Sequence, residues 1–80
     1  MPYVIYRVRR HRRYPSDMNG GYVVQGLSTE TAMWEDISRY SCEYCANVIA
    51  YRSARGAGVS AFAIDGSELT YERSMKTCRM

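Results

Sequence analysis

The stretch that decides the fold is "STETAMWEDISRYSCEYCANVIAYRSARG", residues 28 to 56, because it contains no internal Gly or Pro. Ser28 or Thr29 can cap the first amides of a helix. Glu30, Glu35 and Asp36 suit its N-terminal end, and Arg52 and Arg55 suit its C-terminal end. Gly56 supplies a left-handed stop. Stepping at about 100° per residue gathers Met33, Trp34, Ile37, Tyr44, Cys45, Val48 and Tyr51 on one stripe. Asp36, Arg39, Glu43, Ala46 and Ala50 fall opposite. The pattern predicts a long amphipathic helix over about 29–55. Such a helix spans about 37 Å at 1.5 Å per residue, longer than a short strand, so it either overhangs its sheet or breaks near Ser38 to Ser41.

On the N-terminal side, "YVIYRVRRHRRY" is rich in β-branched and aromatic residues and reads as a strand over about 3–13. Period-two alternation puts Val4, Tyr6 and Val8 on one face, and Tyr3, Ile5, Arg7 and Arg9 on the other. "PSDMNGG" concentrates turn formers, and "YVVQGL" is a second strand over 22–27. After "GAG", "VSAFAI" is a strand over about 59–64. Asp65-Gly66 signals a hairpin, and a fourth strand returns over about 68–74, leaving a tail at 75–80. The order ββαββ predicts an α+β fold: an antiparallel sheet of about four strands with the helix on one face. A right-handed crossover would put the first and third strands near the centre. The uncovered face would offer tyrosines and short polar groups to water or to a second copy of the chain.

Eighty residues make one domain, too small for a deep pocket. No apolar run approaches the ~20 residues of a membrane span. "MPYVIYRV" is too short for a signal segment and is interrupted by Arg7, so the expected location is cytoplasmic, with reduced thiols.

"SCEYC" at 41–45 places Cys42 and Cys45 in C-x-x-C spacing. A redox pair needs its first thiolate at a helix N-terminus, and on the long helix both cysteines lie inside. A zinc site could add His11 and Cys78, but arginines flank His11. The preferred reading makes Cys45 a small core residue and Cys42 incidental, with no cofactor. His11 has no carboxylate to orient it, and neither "GGYVVQG" nor "ARGAG" has the strand-loop-helix order of a phosphate-binding loop. The chain reads as non-enzymatic.

The net charge is +3, and its placement matters more than its size. Arg7, Arg9, Arg10, Arg12 and Arg13 all precede the first acid, Asp17. They make a compact surface for phosphate or for an acidic protein, with Tyr14 able to stack on a base. Arg52 and Arg55 extend it if the helix crosses that way. Guanidinium suits such contacts because its planar fork matches phosphate and carboxylate.

The layout of "YVIYRV", "YVVQGL", "STETAMWEDI" with Ala46 and Ala50, and "GVSAFAIDGSELTYE" resembles small phage-encoded anti-CRISPR proteins. That resemblance implies a non-catalytic inhibitor of a CRISPR–Cas effector complex, acting in the bacterial host cytoplasm on the complex's DNA binding. Members of that group that imitate DNA are acidic. This chain is basic, so the resemblance implies contact with an acidic subunit surface or with bound nucleic acid. The alternatives are a nucleic-acid-binding module, such as a phage regulator, and a zinc-stabilised structural module.

Overall fold

A computed structural model describes residues 3–10 and 21–72. The fold is α+β, a four-stranded sheet with one helix packed on it. The elements in chain order are β1 (Tyr3–Arg10), β2 (Tyr22–Ser28), β3 (Trp34–Tyr40), α1 (Glu43–Ala57) and β4 (Ser60–Phe62). The spatial order is β3-β2-β1-β4. β1 pairs antiparallel with β2, β2 antiparallel with β3, and β1 parallel with β4.

The sheet is therefore mixed rather than antiparallel throughout. β1 and β2 are central, and the "VSAFAI" segment supplies an edge strand instead of a central one. The expected strand over 68–74 reduces to one bridge between Glu68 and Phe62, with residues 71–72 helical. Leu69 N–H donates to the Ala61 carbonyl at 2.8 Å and Ala63 N–H to that of Ser67 at 2.9 Å, so this segment covers the outer edge of β4. The expected extension of the first strand to residue 13 lies outside the described residues, as does the tail at 75–80.

The expected 29–55 helix is instead a turn, a strand and a helix of 15 residues. Ser28 carries the capping chemistry the sequence suggests, but on a hairpin loop. Its Oγ accepts from the amides of Glu30 (3.2 Å) and Thr31 (3.3 Å). Its own N–H donates to the Met33 carbonyl at 2.9 Å, which closes the loop. Ala32 turns the chain in the left-handed region at φ 59°. Trp34, Ile37 and Tyr40 then favour a strand, and β3 pairs with β2 from Leu27↔Trp34 to Tyr22↔Tyr40.

The buried face of α1 is Ala46, Asn47, Ala50 and Ala54, nearly opposite the stripe read from the larger residues. Three alanines four apart form one line along the helix. With no atoms beyond Cβ, they let it lie close on Tyr6, Val8, Val24 and Ala61. Tyr51 and Ile49 pack at the margins, and Cys45 is exposed. The helix stops at Gly58, φ 73°, rather than at Gly56. The N–H of Gly58 donates to the Arg55 carbonyl and that of Val59 to the Ala54 carbonyl, the paired bonds of a Schellman ending.

Two bulges set which side chains face the helix. One in β1, between Tyr3 and Tyr6, carries Tyr3 to the helix side, where its ring lies 5.8 Å from that of Tyr6, and leaves Val4 48% exposed. Strict alternation would put Tyr3 with Arg7. The other, between Val24 and Gln25, absorbs Ile37. Both meet at Gly26, where an added Cβ would sit 2.6 Å from the Tyr3 ring and 3.0 Å from Ile37 Cδ1.

Gly26→Ala should therefore destabilise the fold by about 1–3 kcal/mol through overpacking. Ala32→Gly should stabilise it by up to about 1 kcal/mol by removing left-handed strain. Urea unfolding of the two variants checks both signs; a neutral Gly26→Ala would mean that Tyr3 does not roof this position.

Candidate anion-binding surface

The arginines of β1 divide by strand geometry. Val8 and Val24 are opposite one another and buried under the helix, so the intervening pair Arg7↔Gln25 faces the other way, as do Arg9↔Val23 and Val23↔Arg39. The helix-free face thus carries charge together with Val23, Trp34 and the Phe62 paired with Arg7. Tyr3, Tyr6, Tyr22 and Tyr40 pack with the helix-side core, so these tyrosines are not offered to water or a partner by the uncovered face.

Arg7 is engaged within the molecule. Its guanidinium carbon stacks 3.8 Å from the centroid of Trp34. Its Nε donates to Gln25 Oε1 at 2.8 Å, and Gln25 Nε2 donates to Asp36 Oδ1 at 2.7 Å. Asp36 also lies 3.9 Å from Arg39. Three strands are tied by one cation, one amide and one carboxylate. Partial burial, and then the charge of Arg9, lower the Arg7 pKa, yet a guanidinium stays protonated at any ordinary pH.

Arg9 and Arg10 are the exposed cations of this strand. Among the described residues, the ion pair found is Arg39–Asp36, so no described carboxylate pairs with Arg9 or Arg10. Arg10 Nη2 donates to Tyr22 Oη at 3.1 Å, with its guanidinium carbon 5.5 Å from the ring centroid. That hydrogen bond, and then the electrostatic influence of Tyr22, raise the Arg10 pKa; burial opposes them, and the charge of Glu43 adds a lesser rise. Tyr22 pairs with Tyr40 across β2 and β3, so Arg10 caps a row of aromatic residues at one end of the sheet. Sequence marks the arginines but not this row, because register joins residues that are far apart in the chain.

Arg52 and Arg55 do not extend the cluster. α1 starts three residues after Tyr40, at the Arg10 end, and its exit leads to Ser60, which pairs with Ile5 at the other end. Fifteen helical residues separate the ends by about 22 Å. Arg55 instead borders an open depression of about 260 Å³ with Tyr51, Ala54, Ser60, Glu68 and Leu69. There Ser60 Oγ donates to Glu68 Oε2 at 3.1 Å. His11, Arg12, Arg13, Tyr14 and Cys78 lie outside the described residues.

The cysteines are placed differently from the expectation. Cys42 is the N-cap residue of α1, with extended φ −126° and ψ 131°. It is half-buried, and Cys45 is an exposed first-turn residue rather than a core one; neither is in a disulfide. Among the described residues, no three His, Cys, Asp or Glu side chains gather as a metal-ligand set, and no helix is long and apolar enough to cross a membrane.

The chain matches no family model, no curated protein and no solved structure.

Arg7→Ala should cost about 1–2 kcal/mol of stability, from the lost stacking on Trp34 and the lost hydrogen bond to Gln25. Arg7→Lys should recover less than half of that, because an ammonium cannot both stack flat and donate through Nε. Denaturant titration of the two variants decides it: equal stability of Arg7→Lys and the parent would make the contact a matter of charge alone.

Proposed function

We propose that this chain is a non-enzymatic interaction protein that grips a negatively charged partner with the C-terminal end of β1, centred on Arg9 and Arg10. The observation that carries the reading is that both guanidiniums are exposed and have no carboxylate partner among the described residues, while Arg7 and Arg39 are engaged internally. Unneutralised, closely spaced arginines are favoured anchors for acidic protein surfaces and for phosphates. In the sequence, Arg12 and Arg13 come soon after and belong to the same proposal.

The partner proposed, from the resemblance in layout, is a CRISPR–Cas effector complex in a bacterial cytoplasm. The chain would act as an inhibitor that contacts an acidic subunit surface or the bound nucleic acid and lowers the complex's binding of target DNA. A second copy of the chain, as a further partner, would add at β3, a sheet edge with no neighbouring strand among the described residues. The row of Arg10, Tyr22 and Tyr40 favours one other reading, a free-standing nucleic-acid-binding module, since aromatic rings beside guanidinium suit unpaired bases.

The test uses a purified type I effector complex, target DNA, and the chain with Arg9→Ala and Arg10→Ala together. The double variant should bind the complex at least about 30-fold more weakly, the scale of an interface hot spot. Arg52→Ala with Arg55→Ala, at the far end, should leave binding unchanged. Undiminished binding by a folded Arg9/Arg10 variant removes this interface. Binding of the parent to DNA alone, falling steeply as salt rises, selects the nucleic-acid reading instead.

A further inference from the structure

The anion-binding surface leaves the C-x-x-C pair unused, and the start of α1 gives that pair a chemistry. The first four amides of a helix lack intrahelical acceptors, and the N-cap side chain is the one that lies against the amides of the second and third helical positions. Cys42 occupies that N-cap position, in extended backbone, and its thiol makes no capping hydrogen bond to those amides. A thiolate there sits where the helix dipole and free amides favour negative charge.

Cys45 is the third residue of α1, one turn on and exposed to solvent. Positions three apart on a helix carry Cβ atoms about 5–6 Å apart. A disulfide needs Cβ atoms about 3.5–4.5 Å apart, and Cys42, with its extended φ and ψ, lies outside that regular helical spacing. The charges near Cys42 are mixed. Glu43 stands beside it, whereas Arg10 comes from β1 at the same end of the sheet, where it pairs with Tyr22 and so lies near Tyr40.

We infer that Cys42 and Cys45 form a redox-active dithiol, with Cys42 the attacking thiol, Cys45 the resolving one, and a low-molecular-weight disulfide as oxidant. The Cys42 thiolate attacks one sulfur of the oxidant RS–SR. The S–S bond breaks, RS⁻ leaves and takes up a proton, and a mixed disulfide remains on Cys42. The Cys45 thiolate then attacks the Cys42 sulfur and expels the second RS⁻. The sum is one oxidant disulfide and two protein thiols giving one protein disulfide and two small thiols. This chemistry stands apart from the binding proposal and does not need it.

The test places the reduced full-length chain in glutathione buffers of graded redox poise and maps the cysteines by peptide mass spectrometry. The expected result is a reversible Cys42–Cys45 disulfide. Cys45→Ser should accumulate glutathione on Cys42, and Cys42→Ser should load Cys45 roughly tenfold more slowly. Serine is a favoured N-cap, so the Cys42→Ser helix should persist, as far-UV circular dichroism checks. In the parent chain, limiting alkylation should label Cys42 roughly tenfold faster than Cys45, a readout that needs no variant. Failure of the pair to close in oxidised glutathione, equal loading of the two thiols, or a disulfide made to Cys78 instead would each overturn the assignment.

Discussion

A helix can lie flat against this sheet only where its side chains are small. The line Ala46, Ala50 and Ala54 provides that contact, and the sheet answers with Tyr6, Val8, Val24 and Ala61. Each alanine contributes little apolar area, on the order of one methyl group at about 0.8 kcal/mol per buried carbon. The close approach is nonetheless what seals Val8 and Val24 from water completely. Before Glu43 the chain leaves the helix, and Trp34 to Tyr40 add a third antiparallel strand. The cohesion missing from so thin a core is spread to the other face, where Arg7, Gln25, Asp36 and Trp34 bind three strands together.

The order of strands and helix is legible wherever composition and periodicity agree. Tyr3 to Arg10 and Tyr22 to Ser28 are dense in Val, Ile and Tyr, and both fold as strands. The middle of the chain misleads for two physical reasons. Ser28 caps amides in a hairpin loop just as it would at a helix start, so its chemistry alone does not distinguish the two. The stripe from Met33 to Tyr51 runs its phase across a strand and a helix together, and the bulk of Tyr44, Val48 and Tyr51 outweighs the alanines that are in fact buried. Length offers two alternatives, a helix that overhangs its sheet or one that breaks near Ser38 to Ser41; the structure has neither, but a passage from strand to helix at Ser41 and Cys42. The bulges that turn Tyr3 inward and absorb Ile37 have no sequence mark, because they answer to Gly26 on the neighbouring strand.

For the candidate site, the charge is legible in the sequence and its division is not. Five arginines before the first acid stand out in any reading of the chain. That Arg7 is spent on Trp34 while Arg9 is exposed comes only from register. The same holds for Arg52 and Arg55, whose distance from Arg10 depends on the direction in which α1 crosses the sheet. The C-x-x-C pair shows the dependence most sharply. Its chemistry is decided by whether a helix begins at residue 29 or at residue 43, and a shift of fourteen residues turns two interior thiols into an N-cap thiol and its first-turn neighbour.

These two features share one end of the molecule, and the direction of α1 makes them reinforce each other. The helix runs opposite to β1, so its N-terminus, with about half a positive charge, meets the strand end that carries Arg9 and Arg10. Had α1 run the other way, its negative end would have lain there and cancelled part of their field. Among the described residues, Glu43 in the first turn offsets some of this charge. The proposed anion contact at Arg9 and Arg10 and the proposed thiolate at Cys42 therefore draw, among the described residues, on the same positive helix end.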